Sequence, residues 1–168
     1  FENADINGKL DEDILNQWKG WLTALEAADI NVLFNFYNDF DDYEDKAGWK
    51  LDANGHLHPQ EQYFIETLVN KFKHHKNLIW AIEESCNKLS RAKQRRLIKV
   101  AELVAKTDEF HHPIAQMFQI LYYDEVHPDK VNPEDYVNTP VKMMTWGHYA
   151  TPKKGLPATV QYYRELVG

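Results

Sequence analysis

Helical patterns and short apolar runs take turns along this chain, and that alternation narrows the fold more than any other feature. Residues 11–28 (DEDILNQWKGWLTALEAA) place Ile14, Trp18, Trp21, Leu22 and Leu25 at helical spacing, with acidic residues at the start where they suit the helix dipole. INVLFNFY at 30–37 is too apolar and too short for a surface helix and fits a strand buried on both faces. After a polar, acidic loop from Asn38 to His58, Pro59 predicts the first residue of a helix. Phe64, Leu68 and Phe72, with Ile65 and Val69 beside them, form its buried stripe. NLIWAI at 77–82 is a second strand. Ser90 is placed to cap a third helix striped by Leu97, Ile98, Ala101, Val104 and Ala105. HPIAQMFQI at 112–120 reads as the third strand. A loop holding Pro128, Pro133 and Pro140 leads to VKMMTW at 141–146 as the fourth, and residues 158–167 read as a short closing helix.

Regular alternation of this kind predicts an α/β fold with parallel strands and helical crossovers. An open doubly wound sheet satisfies it, and so does part of a TIM (βα)8 barrel. A barrel needs about 250 residues, so four βα units in 168 residues make half of one. The pattern leaves both architectures open. The length suits a single domain over residues 1–168, without internal repeat or low-complexity stretch.

Charge and cysteine usage remove several function classes. A net charge of −7 argues against nucleic acid, whose phosphates must be met by Lys and Arg. The basic run Arg91, Lys93, Arg95, Arg96 reads as a solvated helix face. No apolar run approaches the roughly 20 residues that cross a bilayer, so no membrane partner is expected. Cys86 is alone, which excludes an internal disulfide. No secretion signal is visible. The opening on Phe1 rather than Met predicts processing or trimming upstream, and the compartment stays open.

No metal and no cofactor is expected. His56 and His58 have the spacing of a metal pair on a strand, but they lie in a Gly- and Pro-flanked loop. The acidic loop Asp39, Asp41, Asp42, Glu44, Asp45 lacks the glycine and terminal Glu of a calcium loop. His111 and His112 precede a strand and read as structural, while His74 and His75 end a helix where His suits the dipole. There is no Gly-rich phosphate loop and no serine in a nucleophile-elbow setting.

In either architecture ligands bind at the carboxyl ends of the strands. Those ends carry Tyr37, Asn38 and Asp39, then Glu83, Glu84 and Ser85, then Gln119 with Tyr122 and Tyr123, then Trp146, His148 and Tyr149. Carboxylates, amides, aromatics and a His on one rim suit a polyhydroxylated ligand, and the chain is 13% aromatic. Glu83-Glu84 is the sharpest feature. Two adjacent carboxylates after a buried run are costly unless paired, hydrogen-bonded or protonated. A carboxyl in a partly apolar setting has the raised pKa that a general acid requires. The same position also suits two carboxylates that cap the next turn and meet water.

Several stretches carry a resemblance to the clan-A glycoside hydrolases, the (βα)8 enzymes that include the cellulase-like families. LEAADINVLFNFYND resembles the helix and third strand of that clan. HPQEQYFIETLVNKFKHHKNLIWAIEES resembles the next helix and the fourth strand, which ends in Asn-Glu and carries the acid/base. The segment around Asp108 and HHPI resembles the lead into strand five, and MMTWGHYA resembles strand six. The resemblance spans residues 10 to 165. It implies a partial barrel, strands three to six only, with Glu84 as acid/base and His148 and Tyr149 near the sugar. Tyr37, Asn38, Asp39, Glu83 and Trp146 would bind substrate. Glu83 stands where the clan has Asn, and His148 and Tyr149 are adjacent where the clan separates them by one residue.

The resemblance further implies a nucleophile on a strand that would begin past Gly168. A retaining enzyme needs two carboxyls roughly 5 Å apart. The missing strands are therefore expected from a longer chain or from a second copy that closes the barrel. The expected function is retaining hydrolysis of a poly- or oligosaccharide, incomplete in this stretch; the resemblance is compatible with an extracytoplasmic location and leaves the compartment open. The alternative is a non-catalytic α/β module that binds a carbohydrate or a partner through the same aromatic rim.

Overall fold

The computed structural model describes residues 9–37, 48–83, 91–118 and 138–146. They form an α/β arrangement of α1 (Glu12–Ala27), β1 (Val32–Tyr37), α2 (Pro59–Phe72), β2 (Leu78–Glu83), α3 (Arg91–Thr107), β3 (Ile114–Phe118) and β4 (Met143–Trp146). The alternation expected from the sequence is therefore present. The closing helix expected at 158–167 and the Ser90 cap lie outside the described residues.

Local chemistry starts each helix. Asp11 caps α1, its Oδ1 accepting from the backbone N–H of Asp13 at 2.9 Å and of Ile14 at 3.2 Å. Pro59 opens α2 as expected, and the Nδ1 of His58 accepts from the N–H of Gln60 at 3.3 Å. His58 is thus the cap of α2. His56 is exposed and pairs with Asp52 at 3.2 Å. Among the described residues no group of three His, Cys, Asp or Glu side chains is placed to hold a metal.

All strand pairings are parallel, and the strands stand in chain order β1-β2-β3-β4. Phe34, Trp80 and Ile114 share one row across the sheet; Asn35, Ala81, Ala115 and Met143 share the next. Successive rows face opposite sides. The first row meets the helices. Phe34 contacts Trp18 of α1 and Phe72 of α2 with ring centroids 5.3 and 5.4 Å apart. Phe36 stacks on Trp80 at 5.4 Å. α1 touches α2 and α2 touches α3, so consecutive helices cover the same face of the sheet.

The core of this layer is Leu15, Leu22, Phe34, Phe36, Phe64, Leu68, Phe72, Trp80, Ile82, Leu97, Val100 and Val104. Burial of each such side chain contributes about 1.5–3 kcal/mol. One expected member is displaced: Trp21 is 61% exposed, and Leu15 takes the inward position on α1. A 3.6-residue period cannot seat Ile14, Trp18, Trp21, Leu22 and Leu25 all on one narrow stripe, and Trp21 falls at its solvent edge.

Candidate functional site

Four described elements meet at the carboxyl end of β1 and β2. Tyr37 is the last residue of β1 and stands in register with Glu83, the last residue of β2. Glu83 thus belongs to the strand, one residue beyond the run expected from the sequence. Both are buried, Tyr37 at 2% and Glu83 at 0% exposure. Neither lies open on a rim as its place in the sequence suggested.

Their partners come from the helices. The Tyr37 hydroxyl donates to Oε1 of Glu61, in the first turn of α2, at 2.6 Å. Arg96 of α3 donates to the same Glu61 oxygen and places its guanidinium carbon 5.2 Å from the centroid of the Tyr37 ring. Lys93 Nζ, one turn earlier on α3, lies 2.5 Å from Glu83 Oε1. Two carboxylates and two cations are therefore matched in a desolvated space, which is what allows any of them to be buried charged. The expectation of a solvated basic face fails for two of its four members. Arg95 is exposed, but Arg96 is 3% exposed and the Lys93 side chain 11%. A residue count sees four cations on a helix; only the packed structure shows that two of them have buried carboxylates opposite.

The other residues expected at the site divide as follows. Trp146 ends β4, in register with Phe118 of β3, which puts its backbone at the same edge of the sheet. Glu84, Asn38, Asp39, His148 and Tyr149 lie outside the described residues, as do Cys86 and the acidic loop at 39–45. Glu61, Lys93 and Arg96 belong to this cluster and were missed from the sequence. The one available signal was Glu61 on the apolar side of the PQEQYFIETLVNKF helix, three residues before Phe64.

A second polar network sits at the opposite, amino-terminal edge. Asp108, at the end of α3, accepts from Trp80 Nε1 at 2.8 Å and from the N–H of His112 at 3.0 Å. The His112 ring spans Asp108 Oδ2 and the carbonyl of His75, at 2.8 Å each. His75 pairs in turn with Glu26 of α1 at 3.0 Å. Burial of Asp108 opposes its ionisation, but the hydrogen bonds from Trp80 and His112 outweigh it and hold the carboxyl below its usual 3.8. Glu26 is likewise held low, first by its hydrogen bond with His75 and then by the N–H of Lys76. This edge is opposite the strand ends at which ligands bind in α/β sheets, so the network is structural. That agrees with the structural reading of His112 from the sequence.

No known protein family matches the chain, and no characterised protein or solved structure matches it either.

Proposed function

We propose that this chain is the central part of a TIM barrel that hydrolyses glycosidic bonds with retention, acting on a poly- or oligosaccharide. The observation that supports the barrel is the strand order. A doubly wound sheet reverses its order at the crevice where ligands bind and carries helices on both faces. Here four parallel strands run in chain order, and consecutive helices touch on one face, which supports the reading of a barrel segment. The carboxyl end of β2 is then the place where chemistry belongs, and Glu84 follows it directly in the sequence.

In this reading Glu84 protonates the leaving oxygen and then activates the water that releases the product, as the resemblance implies. The nucleophile is a second carboxyl, which the resemblance puts on a strand past Gly168. Glu83, buried against Lys93 where the clan has Asn, is a support for the strand end rather than a sugar contact. The experiment is an assay of the full-length protein on a panel of aryl glycosides beside Glu84→Gln. Loss of roughly 10²–10⁴ in kcat/KM is expected for removal of an acid/base, and an unchanged rate sinks the assignment.

The rival is a module that binds carbohydrate without cleaving it. Its support is that Tyr37 and Glu83, both expected to touch sugar, are committed to internal partners. Binding of an oligosaccharide by a full-length protein that hydrolyses no glycoside decides for it.

A further inference from the structure

α3 begins with the wrong charges for a helix. Its first two turns carry Arg91, Lys93, Arg95 and Arg96 and no acid in the first turn, although the helix dipole favours anions there. Two of these cations are also buried, which costs solvation energy that an apolar quartet of the same size would not lose. A buried ion pair is therefore weak evidence for stability, and the geometry of Lys93 and Arg96 carries more information. Three residues apart on one helix face, they reach two carboxylates on different elements, Glu83 at the end of β2 and Glu61 at the start of α2. The Tyr37 hydroxyl on Glu61 ties in β1. The ends of two strands and the starts of two helices are joined to one another by two buried charge pairs and a hydrogen bond.

We propose that Lys93 is a positioning residue for the chemistry at this edge, pinning Glu83, the last residue of β2 and the one before Glu84 in the sequence. This rests on the glycosidase reading. Lys93 touches no substrate; it acts through Glu83, with Arg96 and Glu61 fixing the helix that carries it. A general acid contributes only when its proton is within hydrogen-bond reach of the leaving oxygen, so play at Glu83 costs proton transfer first.

The test uses the full-length protein and the variants Lys93→Met and Lys93→Arg. Dinitrophenyl glycosides leave without protonation, whereas alkyl glycosides need the acid. Lys93→Met is expected to lower kcat/KM, which reads the first, acid-assisted step, about tenfold more on alkyl glycosides than on dinitrophenyl glycosides, with Lys93→Arg restoring most of the loss. An equal loss on both substrates, or none, overturns the proposal. Amide exchange over α3 residues 95–98 gives a readout that needs no activity, expected to quicken about tenfold in Lys93→Met. Unchanged exchange refutes the anchoring of α3. A wild-type protein inert on every glycoside overturns the glycosidase reading, and with it the service of Lys93 to that chemistry, while exchange still decides whether the bridge anchors the helix.

Discussion

Tyr37 and Glu61 are 24 positions apart in the chain, yet the phenol hydroxyl of one donates a 2.6 Å hydrogen bond to the buried carboxylate of the other. Arg96 meets the same oxygen from a third element, so Glu61 is the point where β1, α2 and α3 are joined. Removing one partner from such a site leaves the others desolvated and unmatched, which costs more than the bond itself.

Tyr37→Phe removes the hydroxyl and keeps the ring on Phe64 and under Arg96. A loss of about 1–2 kcal/mol is expected in urea unfolding. Glu61→Ala removes the carboxylate that meets the buried Arg96 cation and should cost about 3–5 kcal/mol. The double variant Glu61→Leu, Arg96→Met removes both charges together. It should cost less than the sum of the two single changes, and a strictly additive result would contradict the pairing.

At the opposite edge, Asp108→Ala deprives buried Trp80 Nε1 and the His112 ring of their acceptor. A destabilisation of about 3 kcal/mol is expected, lowering Tm by roughly 6–12 °C. Because this edge is remote from the strand ends where ligands bind, the kcat of the proposed glycosidase, measured well below the transition, should be unchanged. A selective loss of kcat would place Asp108 in the site instead.

Acid should weaken the fold through the same residue. The folded-state pKa of Asp108 is depressed, so its contribution is complete above the ordinary 3.8 and is lost as pH falls through the lower folded value. Glu26, with an ordinary value of 4.5, adds to the trend in the same direction. Urea midpoints taken from about pH 5 down to about pH 2.5 should fall steadily, and Asp108→Asn should flatten that slope while lowering stability at neutral pH. An identical slope in the variant would remove Asp108 from this account.

On α1, neighbouring residues should respond oppositely to truncation. Leu22 is 4% exposed and Leu22→Ala should cost about 2–5 kcal/mol. Trp21 is 61% exposed, and Trp21→Lys should change stability by no more than about 0.5 kcal/mol. A large effect at Trp21 would mean that this face is covered in the native protein.

The sequence by itself determined the elements. Period-3.6 stripes such as Phe64, Leu68 and Phe72, the caps at Asp11 and Pro59, and unbroken apolar runs such as LIWAI report local preferences that act within a few residues. They also determined that the strands would be parallel, because a helix between successive strands permits little else. What only the tertiary structure decided was the order of the strands and the company of the charged residues. Chain-order winding of four strands is written with the same alternation as any other parallel order. Glu83 and Lys93, or Tyr37, Glu61 and Arg96, become partners only once α2 and α3 pack beside the ends of β1 and β2. Charge gives no periodic signal of burial; a lysine on a helix reads as solvated until the carboxylate opposite it is known.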